Sequence, residues 1–294
     1  MPPVTRPAAA VAADVSSEAS DARREFAFLD ADFQDLSRLA YQHAGIVLGE
    51  SKRNLVYSRL SRRLRALNLA TFRAYRDHIA ANEREIENFI NSISTNHTKF
   101  FRESHHFDHF GPNVARAFAK AARGGGGRMR IWSAGCSSGE EPYTIAVVLK
   151  KEIPDIEQHD VRMLATDIDT DILAKAARGE YASTALEEIP PEYREYFEQG
   201  SSKSSVVMAE SCRDLVAYRQ LNLLGPWPMK GMFDAIFCRN VMIYFDGPTK
   251  SKLVQRFTQQ LRPGGWLYIG HSESLIGSHP GLELMGRTIY RREA

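Results

Sequence analysis

A doubly wound α/β sheet preceded by a small all-α domain is the fold this sequence predicts, and three observations predict it. Apolar residues recur at helical spacing over residues 26–95, and short apolar runs alternate with helical stretches beyond residue 124. Four consecutive glycines, Gly124 to Gly127, separate the two patterns. At 294 residues the chain exceeds what one compact core usually needs, so one large domain with a smaller companion is expected. Hydrophobic residues at 43% and charged residues at 25% stand near globular averages, which argues against disorder or a coiled coil for the whole chain.

Taken in order, residues 1–25 are rich in Ala, Ser, Pro and Val and lack aromatics, so they cannot bury enough apolar area to offset chain entropy. A disordered tail is expected there. Four helices follow from the stripes Phe33, Leu36, Leu39 and Ala40; Val56, Leu60, Leu64 and Leu67; Phe72, Tyr75 and Ile79; and Ile86, Phe89, Ile90 and Ile93. Gly45 is placed to stop the first, Thr71 to cap the third, and Asn82 with Glu85 to form a capping box on the fourth. Residues 96–123 read as a linker segment with a helix capped by Ser104, and the glycine run reads as a hinge opening the second domain, residues 124–294. Strands are expected at 130–134, 161–165, 233–238, 266–270 and 288–291, with helices at 142–151, 171–178 and 248–261. Residues 179–220 break this rhythm with Pro190-Pro191 and a Ser-rich turn and read as an inserted, β-containing subdomain.

Thirty-eight Lys and Arg against thirty-six Asp and Glu leave a net charge of +2, too small to announce a nucleic-acid or membrane partner. The three cysteines, Cys136, Cys212 and Cys238, form neither a disulfide framework nor a C-x-x-C pair, which fits a reducing cytoplasm. No apolar run approaches the length of a membrane span, so no membrane insertion is expected.

The chemistry concentrates at the end of the first strand, where Gly135-Cys136-Ser137-Ser138-Gly139-Glu140-Glu141-Pro142 leads into a helix. Glycines at a strand's carboxyl end admit a nucleotide-type ligand to the backbone, and the helix start offers it N–H groups. The pattern is neither G-x-G-x-x-G nor a P-loop, and the Glu140-Glu141 pair repels a pyrophosphate while suiting the ammonium and sulfonium charges of S-adenosylmethionine. Asp167 closes the second strand 28 residues after Gly139, where ribose-binding carboxylates sit in such sheets. Two plainer readings stay open, an ordinary turn for the glycines and a helix cap for Asp167 or Asp169. His105 and His109 stand one turn apart, but without further ligands they argue for packing and no metal. Cys136 reads as a space-filler.

Five blocks together resemble the signatures of the CheR chemotaxis methyltransferases. They are 96–107 (Asn-His-Thr-Lys-Phe-Phe-Arg-Glu-Ser-His-His-Phe), 139–143 (Gly-Glu-Glu-Pro-Tyr), 165–169 (Ala-Thr-Asp-Ile-Asp), 237–245 (Phe-Cys-Arg-Asn-Val-Met-Ile-Tyr-Phe) and 270–274 (Gly-His-Ser-Glu-Ser). The resemblance spans about residues 28–292 and implies a Rossmann-like class I methyltransferase sheet. It further implies methyl transfer from S-adenosylmethionine to glutamates of chemoreceptor cytoplasmic domains, leaving S-adenosylhomocysteine. Carried over residue by residue, cofactor contacts fall on Asn96, Thr98, Arg102, Glu141, Asp167, Asn222, Leu223, Arg239 and Asn240, and the residues nearest the transferred methyl are Arg102 and Tyr244. A glutamate is already an anion at neutral pH, so the reaction needs alignment and desolvation rather than a general base. A noncatalytic S-adenosylmethionine-binding regulator and a nucleotide-dependent oxidoreductase are the competing classes.

Between residues 46 and 76 eight cations face the single anion Glu50, a local balance of +7. Arg59, Arg62 and Arg65 lie off the apolar stripe of their helix, so this face is either merely solvated or binds a Glu-rich receptor helix, with nucleic acid the weaker partner. Family members that dock a receptor's tether peptide use a Gly-containing loop of the inserted subdomain. Residues 200–205 here read Gly-Ser-Ser-Lys-Ser-Ser, which turns the expectation toward direct recognition of the receptor's helical bundle by a monomer.

Overall fold

The computed structural model describes residues 24–273, 275 and 280–293, so the expected tail up to residue 23 and Ser274 of the last block lie outside the described residues. The chain divides into two units, one ending at Ile93 and the other starting at Ser94.

In the first unit, α1 (Asp30–Ala44), α2 (Arg53–Ala66), α3 (Phe72–Ala81) and α4 (Glu83–Ile93) follow the expected stripes. Gly45 ends α1 in the left-handed region at φ 67°, and the Thr71 hydroxyl accepts the Ala74 N–H to start α3. Phe33, Leu36, Val56, Leu60, Leu64, Phe72, Tyr75, Ile79, Phe89, Ile90 and Ile93 are buried, while Leu39, Leu67 and Ile86 are half-buried.

Glu85 departs from its expected capping box and turns into the core. Its carboxylate accepts from Arg63 Nε (3.0 Å) and Nη2 (2.6 Å), the Tyr75 hydroxyl (3.0 Å) and Asn88 Nδ2 (3.0 Å). Burial pushes this carboxyl up, but Arg63, Asn88 and Tyr75 together outweigh it and hold it below the usual range. A four-bonded buried carboxylate satisfies more lone pairs than a cap offers.

The basic stretch is partly neutralised by the same folding. Acids from outside the 46–76 window reach into it: Asp30 pairs with Arg53 (2.7 Å), Glu85 with Arg63, Glu25 with Arg65 (3.2 Å) and Asp35 with Arg76 (2.5 Å). Arg59 donates to the Ser92 carbonyl (3.3 Å), so of the three expected receptor-binding cations Arg62 and Arg65 are exposed and Arg59 is half-buried.

The second unit runs β1 (Arg128–Ala134), β2 (Asp160–Asp167), β3 (Glu180–Ala182), β4 (Phe197–Gln199), β5 (Ser205–Met208), β6 (Val216–Gln220), β7 (Phe233–Cys238), β8 (Leu261–Ile269), β9 (Leu282–Gly286) and β10 (Ile289–Arg292). Its helices are α5 (His105–Phe110), α6 (Arg116–Ala121), α7 (Glu140–Glu152), α8 (Thr170–Arg178), α9 (Glu210–Arg213) and α10 (Gly247–Gln260). The seven-stranded sheet has the order β6-β2-β1-β7-β8-β10-β9, and β3-β5-β4 form a separate antiparallel sheet. The five strands from β6 to β8 are parallel, whereas β10 is antiparallel to both neighbours. Alternation divides the core between the two faces: Met129 and Ile131 of β1 join Phe237 and Tyr268 on one, and Trp132 and Ala134 join Ile236 and Phe257 on the other.

Four expectations change here. The insertion ends at Met208, because β6 pairs with β2 from Met163 opposite Val216 to Asp167 opposite Gln220 and thus belongs to the main sheet. As an edge strand it carries exposed Arg219 and Gln220 and does not look like an apolar run. The glycine run is an ordered turn, with the Gly126 N–H on the Gln158 carbonyl (3.0 Å) and the Asp160 N–H on the Gly127 carbonyl (2.8 Å). The second unit begins well before it, because Phe100, Phe107, Phe110 and Val114 are part of that unit's core. The Ser104 side chain makes no cap on α5.

Candidate cofactor and transfer site

The carboxyl ends of β1, β2, β6 and β7 meet along one rim of the sheet, the place where parallel sheets bind ligands. At the end of β1, Gly135 has φ +88°, and a Cβ there would stand 2.3 Å from Val241 Cγ2. Gly139 has φ +98°, and its Cβ would meet the Tyr181 hydroxyl at 2.8 Å. Both positions therefore require glycine for conformation and for space. The turn is locked by the N–H groups of Gly135 and Cys136, which both donate to the Thr166 carbonyl (2.8 and 2.9 Å).

The two aspartates of β2 and its sequel divide the alternatives between them. Asp169 Oδ1 caps α8, accepting from the N–H groups of Asp171 and Ile172 (both 3.0 Å). Asp167 faces the glycine turn, its Oδ2 accepting the Ser137 N–H (2.8 Å) and its Oδ1 the Asp169 N–H (3.1 Å). Each Asp167 oxygen keeps a second lone pair, so the carboxylate offers two further acceptor sites. Burial pushes its pKa up, and the backbone N–H groups oppose that.

The segment upstream of α5 folds onto this turn. Asn96 Nδ2 donates to Asp169 Oδ2 (2.7 Å), the Ser137 hydroxyl donates to the Asn96 carbonyl (3.1 Å), and the Phe101 N–H donates to the Thr144 hydroxyl (3.2 Å). Thr98 is half-buried between them. On the β6 side, the Leu221 N–H donates to the Asp167 carbonyl (2.9 Å), and Asn222 and buried Leu223 follow directly in the chain.

Arg239, buried at the end of β7, is the second centre. Its Nη1 pairs with Glu141 (3.0 Å), its Nη2 lies 3.5 Å from Glu103 and donates to the Arg102 carbonyl, and its Nε is buried with no partner among the described residues. Burial drives the Glu141 pKa up, against the pull of Arg239 and of the Ser133 hydroxyl on Glu141 Oε1 (2.7 Å). Arg102 itself is half-buried, donates to the His97 carbonyl (2.9 Å) and makes no ion pair among the described residues.

Asn240, left-handed at φ 60°, opens the turn that ends in half-buried Tyr244. Glu273 holds that turn, accepting from the N–H groups of Asn240 (2.8 Å) and Ile243 (3.0 Å). Arg102 and Tyr244 share no bond among the described residues; Arg239 stands between them, bonded to one and preceding the turn that carries the other.

Glu103 and Glu273 are functional candidates that residue-by-residue reasoning passed over. Glu103 accepts from His271 Nδ1 (2.9 Å), the His271 N–H (3.2 Å) and Asn240 Nδ2 (3.3 Å). Burial raises its pKa, but His271, Arg239 and Asn240 outweigh this and bring it to about 2. Both glutamates stand inside the quoted blocks, and the available signal was that an acid in each block needs a cationic or backbone partner. The left-handed backbone of Phe101, Glu103, Ser137 and Asn240 concentrates strain at this rim, as functional sites do.

The histidines of α5 serve packing. His106 Nε2 meets the Thr288 hydroxyl (3.0 Å) and His109 Nδ1 the Tyr268 hydroxyl (3.0 Å), and no group of metal-ligating side chains is found among the described residues. Cys136 is buried.

The donor set fits an adenosyl cofactor bearing positive charge. Asp167 has acceptor sites for a pair of hydroxyls, and Glu141, Glu103 and Glu273 with Asp167 outnumber buried Arg239, which favours a cation and repels a pyrophosphate. The unpartnered Arg239 Nε supplies a donor for an anionic end group.

Residues 96–291 match the family described as CheR methyltransferase, SAM binding domain, and residues 31–94 match CheR methyltransferase, all-alpha domain. A probable chemotaxis protein methyltransferase of Rhizobium etli is 45% identical over 261 residues, covering 86% of this chain and 96% of that protein. Chemotaxis protein methyltransferase 2 of Pseudomonas aeruginosa is 42% identical, covering 91% of this chain and 95% of that protein. The chemotaxis protein methyltransferase of Escherichia coli is 41% identical, covering 90% and 91%.

Proposed function

The chain belongs to the CheR methyltransferase family, and from that premise we propose that it methylates glutamate side chains of chemoreceptor cytoplasmic domains in chemotactic adaptation. It acts as a monomer in the cytoplasm, with S-adenosylmethionine as methyl donor, S-adenosylhomocysteine as product, and no metal. The observation that carries this reading is the meeting of Asp167, with two open acceptor sites, and the Glu141–Arg239 pair beneath a segment tied down through Asn96 and Arg102.

When bound, S-adenosylmethionine supplies an electrophilic methyl on a cationic sulfur. Asp167 accepts two hydroxyls, Glu141 and Glu103 supply negative potential, and Arg239 with Asn96, Thr98, Asn222, Leu223 and Asn240 completes the cofactor contacts. The Arg102 guanidinium, without a carboxylate partner among the described residues, aligns the incoming glutamate carboxylate, and Tyr244 fixes its approach. The attacking oxygen is already an anion, so no side chain has to remove a proton. Exposed Arg62 and Arg65 of α2, with Arg59, form the receptor-facing cations.

Radiolabelled methyl transfer to a receptor cytoplasmic fragment tests the reading. Base-labile label on glutamates is the expected result, and binding of S-adenosylhomocysteine without any turnover would replace the enzyme by a noncatalytic regulator.

A further inference from the structure

We propose that Arg256 of α10 is a positioning residue that fixes the cofactor-binding form of Asn222 and Leu223. The inference rests on the reading above, in which those two residues contact the cofactor.

Residues 221–232 join β6 to β7 without a helix or strand of their own. Within it the Gly225 N–H bonds to the Asn222 carbonyl (3.0 Å) and the Leu224 N–H to Asn222 Oδ1 (2.9 Å), while the Leu223 and Gly225 carbonyls are taken up by side chains. Its first residue is anchored by the bond from Leu221 N–H to the Asp167 carbonyl (2.9 Å). Beyond the binding pair, the anchor is Arg256. Its Nη1 donates to the Leu223 carbonyl (2.6 Å) and its Nη2 to the Gly225 carbonyl (2.6 Å), two oxygens two residues apart that match the two prongs of a guanidinium. The same guanidinium lies 3.9 Å from the Trp227 ring centroid. Trp227 Nε1 donates to the Leu223 carbonyl as well (3.0 Å), so both lone pairs of that oxygen are engaged.

Trp227 is itself wedged into the main sheet's core, edge-on to Trp132 of β1 (4.8 Å) and tilted on Phe257 of α10 (5.2 Å). Arg256 and Trp227 thus tie the Leu223 backbone to two rigid elements. Arg256 touches none of the reacting atoms, and its effect reaches the cofactor only through the loop. A lysine here reaches one carbonyl at most and loses the flat face on Trp227, so the charge alone is not sufficient.

The test compares S-adenosylhomocysteine binding by calorimetry, and methylation kinetics, for the full chain and for Arg256→Lys, Trp227→Phe and Gln260→Ala. Gln260 lies one turn further along α10 and holds only the far end of the loop, at the Gly231 carbonyl (2.5 Å), so it controls for general loosening. Arg256→Lys is expected to weaken binding about tenfold and to raise the S-adenosylmethionine KM by the same factor, with kcat at saturating cofactor and receptor KM near wild type. Gln260→Ala is expected to bind as wild type. Wild-type protein that fails to bind S-adenosylhomocysteine overturns the cofactor reading itself. Wild-type binding together with a folded Arg256→Lys that binds equally well, or that loses kcat with Kd unchanged, overturns the positioning role. Should Arg256→Lys melt early, Trp227→Phe carries the decision. It keeps an aromatic, though smaller, ring and removes one donor to Leu223, and binding about threefold weaker supports the proposal whereas unchanged binding rejects it.

Discussion

Glu103→Gln changes charge with almost no change of shape, and the structure fixes what it should cost. The carboxylate lies between His271 (2.9 Å), Asn240 (3.3 Å) and Arg239 (3.5 Å), with its side chain only 12% exposed. A carboxyl held at about 2 against an ordinary 4.5 contributes about 3 kcal/mol to folding at neutral pH. The folded value is the lower one, so this stabilisation is fully present above about pH 4.5 and disappears as pH falls through about 2. Glutamine keeps one acceptor but turns an amide donor toward groups that are themselves donors, so little of the loss is recovered. Urea unfolding of the second unit at pH 7 should therefore show a midpoint about 1 M lower in Glu103→Gln. Repeated toward pH 2.5, where wild-type Glu103 nears protonation, the gap should narrow. A gap of the same size at both pH values, or none at pH 7, would refute the argument that ionised Glu103 holds this rim together.

Four further outcomes follow from the proposed function. Asp167→Ala should weaken S-adenosylhomocysteine binding by about 1–3 kcal/mol through lost charged hydrogen bonds, and unchanged calorimetric affinity in a folded variant removes Asp167 from the site. Arg62→Glu should raise the receptor KM and flatten its dependence on salt while cofactor Kd stays constant, and normal methylation at every ionic strength reduces that face to a solvated one. Arg102→Ala should lower kcat at saturating cofactor far more than Tyr244→Phe, which keeps its ring. Wild-type kcat should stay flat from about pH 6 to 8, and a chemistry-limited rate rising through a single ionisation in that range would reveal a base.

Much of this protein is determined locally and was therefore legible in the residues. The helical stripes of the first unit, the caps at Gly45, Thr71 and Asp169, and the Gly135 and Gly139 turn depend on neighbours within a few positions. The site's outline was legible too, since Glu141 and Asp167 flank strand ends whose carboxyl side a parallel sheet must bring together.

What only the tertiary structure decided are the pairings of residues distant in sequence. Glu85 satisfied a capping pattern but gained four hydrogen bonds from three side chains, and the +7 stretch was partly neutralised by acids outside its window. The polar strand β6 was assigned to the main sheet by its bonds to β2, because an edge strand exposes too much of its surface to show an apolar run. Arg239 draws together Glu141, Glu103 and the Arg102 carbonyl across about 137 residues of chain, and Arg256 reaches back to Leu223. A buried charge takes whatever partner the fold brings within reach, and that choice is set by the closing of the sheet rather than by spacing along the chain.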